Sequence, residues 1–354
     1  MNDLKGLRVV VAGAGAIGSV LALRLVREGA EVTLADPAGA GDNASGVAAG
    51  MLAPLLEALL DPVAAGHYPL LKAARDAWPA LIVDLPGAPA LDRQGAMARA
   101  PDAEGLLARA RALGARARLL DQDQALSLMP GLVGDGPFLF SDDDWRLDAG
   151  AMLQALQAEF VRLGGRRLRL AMREVSSGVA RFEDQTVWLA DAVILATGPQ
   201  ASAALGPGAV DQLIPVKGQI LRFPGAGPLQ GPVVRGEGVY VVPTSDGAIV
   251  GATMEEGRFD LAIDAQAAAL QVSAAKLFPA LASARFTASA GIRMATPDGL
   301  PLAGPSGTMG LMVARGARRN GWLLALLIAE VIVDHLLERP ASAAARAFDP
   351  LRFR

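Results

Sequence analysis

Three closely spaced glycines carry the most specific chemistry in the chain. Gly13, Gly15 and Gly18 follow the apolar residues 9–12, and Asp36 ends the next apolar segment. This spacing predicts a strand, a tight turn, a helix and a second strand, with Gly15 letting the backbone approach a pyrophosphate. The helix N-terminus would offer N–H groups and the positive end of its dipole to the phosphates. Asp36 would accept hydrogen bonds from ribose hydroxyls and repel a 2′-phosphate, which predicts a dinucleotide site.

The scarcity of cysteine and histidine excludes several kinds of site. The 354 residues include no cysteine and two histidines, so disulfides, thiolate catalysis and zinc–cysteine sites are excluded. We interpret His67 and His335 as structural, which leaves no basis for a serine–histidine–aspartate triad. Residues 142–144 are all aspartate, but adjacent loop residues point in different directions, so we predict an acidic loop and no metal site. The net charge of −3 gives no reason to expect nucleic acid as a partner.

Two apolar segments resemble membrane elements only in part. Residues 5–26 are broken by the glycines of the motif, and residues 322–333 are interrupted by Glu330 and too short to span a bilayer. We therefore expect a cytoplasmic protein without a membrane span.

The order of the predicted elements indicates two lobes. After the nucleotide motif, residues 44–54 are small and are expected to lie against something flat. Helices are predicted at 19–28, 68–85, 103–113, 149–163, 265–277 and from 321 onward, and strands at 31–35, 167–170, 190–195, 218–223, 238–242 and 248–251. The strand-rich block between 218 and 251 indicates an antiparallel lobe inserted into an α/β nucleotide lobe, with a cleft between them.

Several separated segments resemble one known family. They are 13–36, 44–54, 215–219, 240–243, 246–254, 291–305 and 319–321. The most specific are residues 48–54 (AAGMLAP), followed far downstream by residues 296–301 (TPDGLP). On these segments the chain resembles the FAD-dependent D-amino-acid oxidase family, and most closely its glycine oxidases of thiamine biosynthesis.

The resemblance implies a fold and a domain division. It implies an α/β fold in which a Rossmann-like FAD-binding domain is interleaved with an α+β substrate domain built on an antiparallel sheet. The FAD-binding domain would comprise residues 1–85, 145–215 and 286–354, and the substrate domain residues 86–144 and 216–285. It also implies noncovalent FAD and a homodimer or homotetramer.

The resemblance also implies which residues contact FAD. In the family, the small residues of 44–52 face the phosphates and the flavin, and the turn at 196–198 passes beneath the nucleotide. The helix that begins near residue 321 would direct its N-terminal dipole at the flavin N1–C2=O edge and stabilise the anionic reduced flavin. The candidate cofactor residues are Gly13, Gly15, Ala16, Ile17, Gly18, Asp36, Ser45, Ala48, Ala49, Gly50, Met51, Val175, Thr197, Gly198, Arg293, Asn320, Gly321, Trp322 and Leu323.

Four residues match substrate positions of the family. Arg293 is the strongest of them, because a guanidinium binds a carboxylate through two parallel hydrogen bonds. Tyr240 matches the family tyrosine that reaches the same carboxylate, Met254 matches a residue lining the cavity, and Arg319 belongs to the family's Arg-Asn-Gly turn. Three of them also have a structural interpretation, as a surface ion pair for Arg293 and as core for Tyr240 and Met254.

The implied reaction is oxidative deamination of a small amino acid or amine such as glycine, sarcosine or a small D-amino acid. The deprotonated amine gives a hydride to flavin N5, the imine hydrolyses, and O2 reoxidises the flavin with formation of hydrogen peroxide. A D-amino-acid dehydrogenase that passes electrons to a quinone or another carrier remains open. The sequence does not choose among the substrates.

The chain departs from the family pattern at six positions. Gly238, Ala317 and Thr244 replace two histidines and an arginine, which predicts a less polar and roomier pocket. Conservative changes near the cofactor are Lys217 for arginine, Asp36 for glutamate and Leu326 for proline.

Two other functions compete with this hypothesis. A nicotinamide-dependent reductase of the ketopantoate-reductase type shares the glycine motif. Such reductases lack the segments found here at 44–54 and 297–301, and they usually have a basic residue at the position of Asp36. A flavin module acting on modified tRNA should have a basic face, and this acidic chain shows none.

Overall fold

The structure is a computed structural model. It describes residues 3–39, 41–176, 178–199, 212–225, 227, 229–236 and 238–353. The strands are β1 (Arg8–Ala12), β2 (Glu31–Ala35), β3 (Met51–Leu52), β4 (Ala96–Arg99), β5 (Ala117–Leu120), β6 (Phe138–Ser141), β7 (Trp145–Arg146), β8 (Arg166–Leu168), β9 (Met172–Ser176), β10 (Val179–Phe182), β11 (Val187–Leu189), β12 (Ala192–Leu195), β13 (Ile214–Pro224), β14 (Val233–Gly236), β15 (Val239–Thr244), β16 (Gly247–Gly251), β17 (Glu255–Glu256), β18 (Thr287–Ala295), β19 (Leu302–Pro305) and β20 (Leu311–Arg315). The helices are α1 (Ala16–Arg27), α2 (Ala44–Val47), α3 (Pro54–Leu60), α4 (Tyr68–Asp76), α5 (Trp78–Val83), α6 (Ala103–Ala112), α7 (Gln122–Leu128), α8 (Ala149–Arg162), α9 (Ala265–Ala275), α10 (Gly321–Leu336) and α11 (Ala343–Ala347).

A six-stranded sheet forms the nucleotide lobe. Its order is β19-β20-β12-β1-β2-β8, and every pair is parallel except β19 with β20. Helix α1 packs against α8 and α10. Helix α10 is apolar on nearly all sides and almost wholly buried, as expected for a central helix of a large α/β lobe. No helix in the described part of the chain is long and apolar enough to cross a membrane.

The second large sheet has nine strands and is mostly antiparallel. Its order is β17-β13-β16-β15-β14-β4-β6-β5, with β18 also paired to β13. The long strand β13 pairs with β18 over nine residue positions, from Ile214 opposite Ala295 to Arg222 opposite Thr287. Two smaller sheets, β11-β10-β9 and β3-β7, complete the strands.

The predicted elements agree with the observed ones except at a few boundaries. Residues 68–85, predicted as one helix, form α4 and α5, which meet at Ala77. Pro79 explains the break, because proline lacks the N–H that a continuous helix would need at that position. The domain boundaries remain a prediction; residues 287–295, assigned to the FAD-binding domain, form β18 of the nine-stranded sheet.

Candidate active site

The glycine turn after β1 is packed too tightly for any other residue type. Gly13 has φ +102°, and a Cβ atom there would overlap the carbonyl oxygen of Ala196. A Cβ atom at Gly18 would overlap the carbonyl oxygen of Gly13, because α1 starts directly against the turn. The turn therefore holds the N-terminus of α1 close to the carboxyl ends of β1 and β12, as the glycine spacing predicted.

Asp36 and Ser45 contact the backbone around this turn. Asp36 Oδ2 accepts a hydrogen bond from the Ala14 N–H at 2.6 Å, and Oδ1 accepts one from the Ala38 N–H at 2.9 Å. Ser45 Oγ accepts one from the Ala16 N–H at 2.9 Å, so this hydroxyl satisfies a donor in the first turn of α1.

Two neighbouring cavities extend from this turn to the nine-stranded sheet, and only the first of them is lined by a residue of the turn. The first, of about 330 Å³, is lined by Gly13, Asp36 and Thr197. The second, of about 460 Å³, lies over the larger sheet. Both are lined by Ala44, Val47 and Gly291. An elongated dinucleotide fits this arrangement, with its adenosine end beside Asp36 and its far end over the larger sheet.

The predicted cofactor residues fall into two groups. Those that line one of the cavities are Gly13, Asp36, Ala48, Ala49, Gly50, Met51, Thr197, Arg293, Asn320 and Trp322. Those that line neither are Gly15, Ala16, Ile17, Gly18, Ser45, Val175, Gly198, Gly321 and Leu323. Val175 and Leu323 have their side chains buried in hydrophobic clusters, so a contact of either residue with FAD is expected through its backbone, and their assignment stays a prediction.

All four predicted substrate residues line the larger cavity. They are Arg293, Tyr240, Arg319 and Met254. They come from β18, β15, the turn before α10 and the residues after β16. The fold therefore brings together side chains that are far apart in the sequence.

Arg293 lies over a glycine of the neighbouring strand. Its Nη2 donates a hydrogen bond to the Thr253 carbonyl oxygen at 3.0 Å, and a Cβ atom at Gly218 would overlap the same nitrogen. Burial lowers the pKa of the Arg293 guanidinium. No carboxylate pairs with Arg293 within the described part of the chain.

Tyr240 also lies over a glycine. A Cβ atom at Gly251, its cross-strand partner on β16, would overlap the Tyr240 hydroxyl. Burial raises the pKa of Tyr240, while the positive charges of Arg293, Arg235 and Arg319 act in the opposite direction. The hydroxyl is therefore protonated at neutral pH and available as a hydrogen-bond donor.

Arg319 is held by two carboxylates, Glu57 in α3 and Asp61 directly after it. Its Nε donates to Glu57 Oε2 at 2.6 Å, and its Nη2 lies 3.3 Å from Asp61 Oδ2. Arg318, whose φ of +50° is in the left-handed region, also pairs with Asp61. Ion pairs with Glu57 and Asp61 thus fix the position of the Arg319 side chain.

Glu57 was not predicted, although it is the carboxylate that joins two cavity arginines. Its Oε1 accepts a hydrogen bond from Arg235 Nη2 at 3.0 Å, and its Oε2 accepts one from Arg319. Burial raises the pKa of Glu57, but the two guanidinium groups outweigh burial and lower it overall. A signal for its role exists in the sequence, because Glu57 is the only charged residue between 44 and 60 and a buried charge needs a partner.

Asp144, part of the predicted acidic loop, anchors the helix that carries Glu57. Its Oδ1 and Oδ2 accept hydrogen bonds from the N–H groups of Leu55 and Leu56, at 2.8 and 2.9 Å. Burial raises the pKa of Asp144 to about 6. The other two aspartates pair with arginines, Asp142 with Arg118 and Asp143 with Arg116. A loop read only as acidic therefore contains the N-terminal anchor of α3.

The geometry agrees with the comparisons to known proteins. The model of the FAD dependent oxidoreductase family (DAO) matches residues 8–335. The chain is 29% identical to glycine oxidase of Pseudomonas aeruginosa, over 92% of this chain and 94% of that one. It is 30% identical to glycine oxidase of Geobacillus kaustophilus, over 95% and 94% of the two chains.

A solved structure extends the similarity to the whole fold. The crystal structure of glycine oxidase from Geobacillus kaustophilus superposes with a TM-score of 0.87 and 27% identity, over 98% of this chain and 99% of that one. The predicted α/β fold and the FAD requirement are thereby confirmed. The chain belongs to the D-amino-acid oxidase family of FAD-dependent oxidoreductases and is an enzyme that acts on the CH–NH bond of amines.

Proposed function

We propose that the protein oxidises a small amino acid, such as glycine, sarcosine or a small D-amino acid, to an imine that hydrolyses to a 2-oxo acid and the free amine, which is ammonia from a primary amine and methylamine from sarcosine. The observation that carries this proposal is Arg293. Three buried or half-buried guanidinium groups line the larger cavity, those of Arg235, Arg293 and Arg319. Arg235 and Arg319 share Glu57, whereas Arg293 has no carboxylate partner in the described ranges. A substrate carboxylate would supply the missing anion through two parallel hydrogen bonds.

Tyr240 and Arg319 complete the proposed substrate site. Tyr240 would donate its hydroxyl hydrogen to the same carboxylate, since its pKa is raised and its ring faces the cavity. Arg319 is fixed by Glu57 and Asp61, so its charge contributes to the potential in the cavity without moving. These residues would orient the α-carbon, which is the main contribution that a protein makes to a cofactor-borne reaction.

The residues that line the two cavities would hold FAD. When bound, FAD supplies the oxidant, which accepts a hydride from the α-carbon and returns both electrons to O2 as hydrogen peroxide. Asp36 would bind the ribose and the small residues Ala48, Ala49 and Gly50 would face the flavin. Helix α10 begins beside the same cavity, which Asn320 and Trp322 line, so its N-terminus would favour negative charge there.

The three pocket substitutions contribute unequally. Gly238 lines the larger cavity, and a Cβ atom there would meet no atom within 4 Å, so this wall is open. Ala317 and Thr244 do not line it, and the Thr244 hydroxyl donates to Asp246 instead. The extra room predicted from the sequence is therefore expected at Gly238 alone.

A product assay tests the proposed function. Air-equilibrated FAD-bound protein should convert glycine, sarcosine, D-alanine or D-proline with equal molar amounts of oxygen consumed and hydrogen peroxide formed. Flavin reduction without peroxide would instead indicate a dehydrogenase. Absence of flavin reduction by every amino acid would reject the proposal.

A further inference from the structure

We propose that the larger cavity contains a second anion subsite at Arg235, and that the substrate is an amino acid with a carboxylate in its side chain. This inference rests on the proposed function, in which Arg293 binds the α-carboxylate. It adds the chemical class of the group at the other end of the substrate.

Arg235 lies on the same face of the nine-stranded sheet as the proposed substrate residues. On β14 it is the cross-strand partner of Tyr240, which in turn is the partner of Gly251 on β16. Cross-strand partners point to the same face of a sheet, so Arg235 and Tyr240 face the cavity side by side. Arg293 reaches the same cavity from β18, with three strands between it and Arg235.

The guanidinium of Arg235 is buried and incompletely bonded. The residue is 7% exposed, and its Nε is buried without a hydrogen-bond acceptor in the described part of the protein. Its Nη2 donates to Glu57 and lies 3.8 Å from Met51 Sδ. A guanidinium has five N–H donors, and buried donors are nearly always satisfied. A ligand carboxylate in the cavity would reach the guanidinium through N–H groups other than the buried Nε and would add an acceptor to the one that Glu57 provides.

The charges around Arg235 are also unbalanced. Its carboxylate partner, Glu57, is shared with Arg319, and Asp61, which directly follows α3, is shared between Arg318 and Arg319. Three guanidinium groups therefore share two carboxylates before Arg293 is counted.

Asp144 is the remaining acid that acts on Arg235. Both of its oxygens accept hydrogen bonds from N–H groups at the start of α3, so the carboxylate interacts with the N-terminus of that helix and makes no hydrogen bond to Arg235. With one substrate carboxylate at Arg293, the guanidinium groups of Arg235, Arg318 and Arg319 still share Glu57 and Asp61, and a second substrate carboxylate would add an anion beside Arg235.

Matched acid and amide substrates isolate this subsite, because each pair differs only in one charged group. Anaerobic flavin reduction is measured for D-aspartate against D-asparagine and for D-glutamate against D-glutamine. Whichever of D-aspartate and D-glutamate is the better substrate should have a kcat/KM at least about tenfold higher than its amide, which is the effect of a charge-assisted hydrogen bond. Arg235→Met should lower this ratio to near one, and Arg235→Lys should keep it above one.

Arg118→Met provides the matched control. It removes one positive charge from β5 of the same sheet at an exposed position paired with Asp142, and it should leave the ratio unchanged. Equal rates for acid and amide in the wild type, an unchanged ratio in Arg235→Met, or an equal fall in Arg118→Met would overturn the inference. If Arg235→Met does not retain FAD, the acid-to-amide ratios of kcat/KM in the wild type and in Arg235→Lys test the inference. Reduction by glycine without any acid preference would reject the subsite alone, whereas no reduction by any amino acid would reject the proposed function.

Discussion

The guanidinium of Arg293 lies against the backbone of Gly218 so closely that a Cβ atom at position 218 would overlap Arg293 Nη2. The two residues are on adjacent strands, with Gly218 opposite Gly291 and Val216 opposite Arg293. The glycine thus provides the space in which Arg293 reaches the cavity while its Nη2 remains bonded to the Thr253 carbonyl oxygen.

Gly218→Ala should therefore lower activity in the same way as removal of the Arg293 side chain, but to a smaller extent. The added methyl group displaces the guanidinium, and we expect kcat/KM for a small amino acid to fall about tenfold, one charge-assisted hydrogen bond being lost. The flavin content should stay the same. Gly66→Ala is the control, since no atom lies within 4 Å of a Cβ there. Equal kinetics in the two variants would contradict this role for Gly218.

Glu57→Gln should destabilise the protein strongly. It removes the charge shared by two buried guanidinium groups, and loss of one partner of a buried pair costs about 3–5 kcal/mol. Because the pKa of Glu57 is lowered by folding, its contribution is present above the unfolded pKa and is lost as pH falls. Urea unfolding at pH 7 and pH 4 should show a larger difference from wild type at pH 7. Glu31→Gln, at an exposed position, serves as the control, and equal effects of both variants would refute the prediction.

Asp144→Asn should change the pH dependence of stability in the opposite direction. The pKa of Asp144 is raised from 3.8 to about 6, so the folded state binds its proton more tightly than the unfolded state does. The wild type should lose about 3 kcal/mol relative to the variant as pH rises from about 4 to about 6, and no more above pH 7. Urea unfolding of both proteins across this range measures the difference. A difference independent of pH would show that Asp144 is not buried as the structure has it.

Gly15→Val should yield protein with little flavin. A Cβ atom at Gly15 lies 2.9 Å from Ser45 Oγ, and the two further methyl groups of valine would occupy the approach to the α1 N-terminus. The ratio of flavin absorbance to protein absorbance measures the loss, with Gly66→Val as the matched control. A fully yellow Gly15→Val protein would show that the pyrophosphate lies elsewhere.

The sequence predicted the parts of the fold that depend on local patterns. Residues 9–36 predicted the first two strands and the helix between them, and Gly13 and Gly18 are each required by one close backbone approach. The segments that resemble the family, above all residues 48–54 and 296–301, then predicted a flavin enzyme rather than a nicotinamide enzyme, and this prediction is confirmed. Helix α8 was also predicted, at residues 149–163, and the structure shows that the Asp148 side chain caps its N-terminus.

The sequence could not show contacts between distant residues. Glu57 and Arg235 are 178 positions apart, and only the packing of α3 against the larger sheet brings them together. Asp144 was predicted only as part of an acidic loop, because its partners, two N–H groups of α3, precede it by almost 90 positions. The substrate end of the cavity depends on such contacts, so the sequence indicated its arginines but not how they are paired.

The most direct test of the central claim compares wild type with Arg293→Ala in anaerobic flavin reduction. FAD-bound protein is mixed with sarcosine and with dimethylamine, which is sarcosine without its carboxylate. In the wild type, sarcosine should reduce the flavin far faster than dimethylamine does. Arg293→Ala should lose about a hundredfold in kcat/KM for sarcosine, with an unchanged flavin spectrum and unchanged reduction by dimethylamine. Identical reduction by sarcosine in both proteins would contradict the account.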